Sequence, residues 1–284
     1  MSTIEKAINK LRKGSTNPKE KAPRGHVHQS SGENIVLTAD ADIKLPWDQM
    51  LAAGMLTPQN SRSEIAEELR AIKRPLLKNA SANGLQNDNK NLIMVTSSVP
   101  GEGKSFTSIN LAISIAMELD KTALLVDADV AKPSLARYLD FQAQKGLVDY
   151  LLEGDLDLSD VLVRTDLPKL SILPAGRQHH YSTELLASDS MQMLLHELSN
   201  RYQDRIIIFD SPPILATSES QVLANLVGQV VMVVEAVKTT HAMVNEAISK
   251  IPNANITGMI LNKTRVKSGG SYYGYGYGHY GQAS

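Results

Sequence analysis

From residue 90 onward, short and wholly apolar runs alternate with stretches of helical spacing. The runs at 92–96, 122–127, 170–174, 206–210, 230–235 and 256–262 are too short for stable helices and too apolar to face water on either side. Each reads as a buried strand. Helical spacing follows the first run to about Leu119 and returns near 182–203, 215–227 and 238–251. Buried strands alternating with helices predict an α/β fold, a mostly parallel sheet with helices on both faces. No internal repeat breaks the pattern.

Upstream, Ile65, Leu69, Ile72 and Leu76 step by four, three and four residues and predict a helix over 61–78. Glu67, Arg70, Lys73 and Arg74 lie off that stripe and suit either a solvated face or an oligomer contact. At the start of the chain, Ser2 and Glu5 form a capping box, and Ile4, Ala7, Ile8 and Leu11 follow helical spacing until Gly14. Such a short helix needs something to pack on. Residues 14–33 are polar, contain Pro18, Pro23 and Gly25, and read as a linker. Residues 1–30 hold seven Lys/Arg against two Asp/Glu, which fits an anionic lipid surface or a solvated linker equally well. The expected organisation is a short helix plus flexible linker over 1–60, a catalytic domain over 61–266 and a tail over 267–284.

Composition narrows the class. Hydrophobic residues at 42% and charged residues at 21% suit a globular core, and a net charge of −1 gives no general affinity for nucleic acid. Cysteine is absent, which excludes disulfides, thiolate metal sites and a cysteine nucleophile. No apolar run approaches the roughly 20 residues that span a bilayer, and no secretory h-region opens the chain, so a cytosolic protein is expected.

Chemistry enters at Ser98-Val99-Pro100-Gly101-Glu102-Gly103-Lys104-Ser105, between the first strand and the first long helix. It matches the phosphate loop G-x-x-x-x-G-K-[ST], with Ser98 in place of the first glycine. Gly101 and Gly103 let the backbone turn its N–H groups around phosphate, and the helix N-terminus adds positive potential. Lys104 suits the β/γ-phosphates and Ser105 a Mg²⁺ ion. Pro100, Gly101, Glu102, Gly103, Lys104, Ser105 and Phe106 are the expected nucleotide contacts. Asp210 ends the 206–210 strand, where its carboxylate emerges at the sheet edge that binds ligands. Asp127 and Asp129 end a neighbouring strand. Mg²⁺ is expected on Ser105, Asp127 and Asp210; the alternative for one acid of the Asp127/Asp129 pair is a cap on the following turn. Asn262 ends the last strand and is either a reader of the adenine edge or a turn former. Arg164, Arg177 and Arg205 each suit a phosphate and are not ranked. His179-His180 lack nearby acidic companions and do not suggest a metal.

Five of the nine tyrosines, Tyr272, Tyr273, Tyr275, Tyr277 and Tyr280, lie between glycines in the last thirteen residues. That composition cannot build a core. A phosphate loop, LLVDAD, IIIFDSPP and a tyrosine cluster in this order resemble the bacterial protein-tyrosine kinases, the autokinases of capsule and exopolysaccharide chain-length control. The resemblance covers residues 61–284. MSTIEKAINKLR and LPWDQMLAAGMLTP resemble the exopolysaccharide branch whose kinase is a chain separate from its membrane partner.

The resemblance implies a fold related to the MinD/ParA ATPases, Mg-ATP as donor and tyrosine as acceptor. Asp127 is then the base, and Asp129 helps organise Mg²⁺ and the acceptor. Glu67 and Arg70 match the family's Glu-x-x-Arg-x-x-Arg oligomer motif, with Lys73 at the third position. Self-association, an inner-membrane polysaccharide co-polymerase as activator, a cognate tyrosine phosphatase and a cytoplasmic site peripheral to that membrane are implied too. A switch ATPase of the MinD/ParA kind is the alternative. Its signature lysine would stand at Val99, and its C-terminal amphipathic helix has no counterpart here.

Overall fold

A computed structural model describes residues 41–81, 89–143, 145–178, 182–201, 204–251 and 256–264. The strands are β1 (Leu92–Ser97), β2 (Thr122–Asp127), β3 (Val163–Arg164), β4 (Leu170–Leu173), β5 (Arg205–Asp210), β6 (Gln229–Glu235) and β7 (Ile256–Asn262). The helices are α1 (Trp47–Ala52), α2 (Glu64–Ala80), α3 (Lys104–Ala116), α4 (Leu135–Tyr138), α5 (Leu147–Leu152), α6 (Leu158–Val161), α7 (Ser182–Leu185), α8 (Asp189–Arg201), α9 (Ser218–Leu226) and α10 (His241–Ser249). The strands form one seven-stranded sheet in the order β3-β4-β2-β5-β1-β6-β7, parallel except where β3 pairs with β4. The expected mostly parallel sheet is present, with each run found as a strand.

Period-two alternation sends each strand's side chains to both faces. Leu92, Met94, Leu124, Val126, Ile207, Phe209, Val230 and Met232 fill one apolar layer. Ile93, Val95, Ala123, Leu125, Ile206, Ile208, Val231 and Val233 fill the other. Both faces are covered, so the central strands are apolar throughout. The order places β1 between β5 and β6, and β2 beside β5. The C-terminal ends of β1, β2 and β5, which carry the loop and the acids, therefore meet at one edge. Among the described residues no helix is long and apolar enough to cross a membrane.

The stretch 41–60, read above as the end of a flexible linker, instead belongs to the folded body. Leu45, Met50, Met55 and Leu56 are buried in the same layer as α3. Ile43 bridges Thr165, and Asn110 on α3 accepts the Leu56 N–H at 2.6 Å. Helix α3 is buried along almost its whole length because the sheet covers one side and residues 41–80 the other. The apolar residues of this strap follow no helical or strand period, so the pattern did not reveal them. Asp166 fastens the strap by accepting from the Leu45 N–H at 3.1 Å and Trp47 Nε1 at 2.9 Å. Asp166→Ala strands two donors and should cost about 1–3 kcal/mol. Trp47 is the protein's one tryptophan, so its emission should redden at lower denaturant than far-UV ellipticity is lost. Coincident transitions would show that the strap is not a separable unit.

Helix α2 corrects a second expectation. Its buried positions are Ala66, Leu69, Lys73 and Leu76. Lys73 faces inward, donating to the Ser114 carbonyl at 2.7 Å and pairing with Glu118 at 2.5 Å. It is a tie between two helices, not a candidate oligomer contact. Glu67 and Arg70 stay at the surface, where Arg70 donates to Glu67 and, at 2.6 Å, to the Ser61 carbonyl. The apolar stripe alone did not show that a long cationic stem could share the inward face.

Candidate active site

The site is assembled where β1 turns into α3. Gly101 and Gly103 hold φ of +90° and +101°, a region that side chains with Cβ rarely enter. The first N–H groups of α3, on Lys104, Ser105 and Phe106, have no acceptor within the helix by construction. Phe106 contributes only backbone here, since its ring packs on the core layer behind α3. Lys104 Nζ donates to Asp129 Oδ2 at 2.8 Å and lies 4.0 Å from Asp210. Burial works to lower its pKa, but Asp210 and Asp129 outweigh that and raise it. Lys104 is a fixed cation.

Asp127 and Asp210 are register partners on β2 and β5 and are 1% and 0% exposed. Asp127 Oδ2 accepts from the N–H groups of Ser134 and Leu135 at 3.0 and 3.1 Å. Its Oδ1 is buried with no partner. Burial, then the nearby charge of Asp210, pushes Asp127 up to about 7. Burial also raises Asp210, against the pull of Lys104. Asp129 holds Lys104 with one oxygen and accepts from the Lys132 N–H at 3.2 Å with the other. Of the two acids flanking Ala128, both therefore face the site, and Asp127 also caps the turn into α4.

Two hydroxyls that the motifs did not point to complete the centre. Ser134 Oγ donates to Ser105 Oγ at 2.9 Å and lies 3.5 Å from Asp210 Oδ2. Ser108 Oγ lies 3.2 Å from Asp210 Oδ1. Ser108 is one turn beyond Lys104 on α3, a spacing that could have found it. Ser134 comes from the loop after β2, and no local signal marks it.

Two expected nucleotide contacts have other tasks. Glu102 is wholly buried. Its carboxylate accepts from the Val99 N–H at 2.8 Å, the Glu235 N–H at 3.1 Å and the Thr239 hydroxyl. It braces the loop from within by tying Val99 to Glu235 and Thr239. Asn262 does not present a free amide to a base. Its Nδ2 donates to the Glu102 carbonyl at 2.8 Å, and its Oδ1 accepts from the Lys263 N–H at 2.8 Å. Sequence placed Glu102 in the loop and Asn262 at the end of the last strand but could not say which way either points.

None of the three unranked arginines approaches the loop. Arg164 pairs with Asp42, Arg177 with Asp149 and Glu153, and Arg205 opens β5 at the opposite sheet edge. The tyrosine cluster, the 1–11 helix and His179-His180 lie outside the described residues.

The donor set fits Mg²⁺ and a nucleoside triphosphate. Among the described residues no group of three or more His, Asp or Glu forms an ion cage. Magnesium does not need one; it is usually held by one or two carboxylates together with phosphate oxygens and water. The orphaned Asp127 Oδ1, Asp210 and the Ser105 hydroxyl would supply such a half-site, and the glycine turn would supply the phosphate cradle.

Residues 90–257 match the family model described as an AAA domain. Over 216 residues the chain is 32% identical to a putative tyrosine-protein kinase, CapB, of Staphylococcus aureus, covering 75% of this chain and 91% of that protein. It is 30% identical over 262 residues to the succinoglycan biosynthesis transport protein ExoP of Rhizobium meliloti, covering 90% of this chain and 32% of ExoP. Among solved structures, the VpsO kinase domain is 34% identical with a TM-score of 0.57, covering 72% of this chain and all of that one. The chain spans only about a quarter to a third of the length of the longer curated relatives it matches.

Proposed function

The chain belongs to the bacterial tyrosine-protein kinase family, and on that premise we propose that it is a Mg-ATP-dependent tyrosine autokinase acting on Tyr272, Tyr273, Tyr275, Tyr277 and Tyr280. The observation that carries this reading is the buried Asp127 carboxylate, with one oxygen unpartnered, beside a phosphate cradle and Lys104. A tyrosine hydroxyl has a pKa of about 10 and is a weak nucleophile at neutral pH. A carboxylate titrating near neutrality is matched to accept its proton. The phenolic oxygen bonds to the γ-phosphorus, the proton passes to Asp127 Oδ1, and the bond from γ-phosphorus to the leaving ADP breaks.

Lys104 and the N–H groups of the loop and first helical turn stabilise charge on the transferring group. Bound Mg²⁺ would neutralise phosphate charge, held by Ser105 and Asp210. Only one oxygen of Asp127 is unpartnered, so proton acceptance and ion binding compete for it, and we give it the proton. Lys104 leaves Asp129 for phosphate in this scheme, and Asp129 stays close enough to orient it.

The proposed setting is control of exopolysaccharide synthesis, export and chain length. Kinship with ExoP, named for succinoglycan biosynthesis transport, supports it. A polysaccharide co-polymerase of the inner membrane is the proposed activator, a cognate phosphatase the proposed reversal, and the cytoplasmic side of that membrane the proposed location. Oligomer contacts would use the exposed Glu67 and the half-buried Arg70.

Transfer between neighbouring chains is the first reading of the geometry. Tyr272 to Tyr280 lie ten to eighteen residues beyond Asn262, a span of roughly 33–60 Å when extended. Transfer within one chain is the second, and it gains support because Asn262 and Lys263 lie against the chain's own phosphate loop. Mass spectrometry of a mixture separates them. Between-chain transfer predicts that Lys104→Ala chains with intact tyrosines become labelled by active chains truncated after Val266. Unlabelled Lys104→Ala chains beside truncated chains that still consume ATP would argue for within-chain transfer.

The test of the activity itself is phosphotyrosine mapping after incubation with Mg-ATP and the co-polymerase. Label is expected within 272–280 and should vanish on truncation after Val266. ATP consumption with no tyrosine labelled would favour the switch ATPase.

A further inference from the structure

The carbonyls of Gly101 and Glu102 are pinned by the two residues at the end of β7. Lys263 Nζ donates to the Gly101 carbonyl at 2.6 Å, and Asn262 Nδ2 to the Glu102 carbonyl at 2.8 Å. A phosphate loop binds with N–H groups turned inward, which requires carbonyls turned outward. Two successive carbonyls held from outside enforce that orientation. Asn262 also closes over Gly103 so tightly that an added Cβ there would collide with its amide.

The far ends of the brace are fixed as well. Lys263 Nζ lies 3.2 Å from Glu235 Oε2, and the Glu235 N–H donates to the buried Glu102 carboxylate. The result is a closed circuit of loop, β6 and β7. Lys263 itself sits at φ +59°, an unusual conformation for a side-chain-bearing residue. The Asn262 side chain accepting its N–H supports that turn.

We propose that Asn262 and Lys263 are positioning residues that hold the phosphate loop open for nucleotide, and thereby fasten the root of the tyrosine-bearing segment to the nucleotide site. The proposal deepens the kinase reading and rests on its nucleotide site, but not on the identity of the phosphate acceptor. Lys263 is 47% exposed, and ion pairs at such sites add little to global stability. Its contribution should therefore show in binding and hardly at all in melting temperature.

The experiment is an equilibrium titration of full-length protein with N-methylanthraniloyl-ADP, followed by fluorescence and paired with thermal melts. Lys263→Met and Asn262→Ala should each weaken binding by about tenfold, the effect of losing one hydrogen bond to a group that must stay oriented. Their melting temperatures should remain within about 2 °C of the parent, and Lys263→Arg should recover part of the affinity by restoring a donor. Unchanged affinity in both variants overturns the proposal. So does lost affinity with a matching fall in melting temperature, which marks a merely structural role. If the parent binds nucleotide and labels no tyrosine, the kinase reading fails while the brace is still judged by the titration. A parent that binds no nucleotide defeats both.

Discussion

Lys104→Met should lower tyrosine autophosphorylation by about 100- to 1000-fold, the usual cost of removing one preorganised donor from a developing anion. The loss should fall mainly on kcat, because the loop N–H groups still hold the ground-state phosphates. Stability should respond too. Lys104 is the cation closest to two buried carboxylates, 2.8 Å from Asp129 and 4.0 Å from Asp210. Without it Asp210 loses the group that pulls its pKa down, and burial raises it further. An acid whose folded pKa rises loses stability as pH climbs from its unfolded value toward its folded one. The variant should therefore melt furthest below the parent at pH 8 and close on it as the pH falls toward the ordinary carboxylate range. Phosphotyrosine immunoblots with melts across that range check this, and a variant retaining a tenth of parental activity would remove Lys104 from the mechanism.

Asp127→Asn should combine a loss of about 100-fold or more in transfer with a more stable unliganded protein. The amide keeps an oxygen for the Ser134 and Leu135 N–H groups, while its NH2 takes the place of the orphaned, buried carboxylate oxygen. The sign of the stability change follows from the raised pKa. Asp127 is pushed from its ordinary 3.8 up to about 7, so the folded state holds a proton that the unfolded chain has released. That costs nothing below about pH 4, grows through the interval to about pH 7, and is constant above it. The melting-temperature gain of the Asn variant should track that curve and reach several degrees by pH 8. A gain independent of pH would contradict the assignment. A site that trades stability for a poised acid is expected where a proton must move near neutrality.

Much of the candidate site was legible because its parts are each marked locally. Gly101, Gly103, Lys104 and Ser105 form a contiguous loop between a strand and a helix. Asp127 and Asp210 close apolar runs whose length fixes them at strand ends, and buried parallel strands bring such ends to one edge. Periodicity records backbone path well, because each residue's part in it depends on near neighbours.

Side-chain direction was decided elsewhere. Glu102 reads as a loop carboxylate, yet it turns inward to donors at Glu235 and Thr239, more than 130 residues away in sequence. Asn262 spends its amide on the loop, Lys73 turns from a surface stripe to the Ser114 carbonyl, and Leu45, Met50, Met55 and Leu56 enter the core without any period to announce them. A buried polar group is tolerable only where partners converge on it, and convergence is a property of the folded chain. The sequence alone determined the phosphate cradle, the order of the sheet-forming runs and the acids at their ends. The tertiary structure alone decided which polar side chains face the nucleotide and which hold the cradle in shape, since that choice depends on donors and acceptors brought together only by packing.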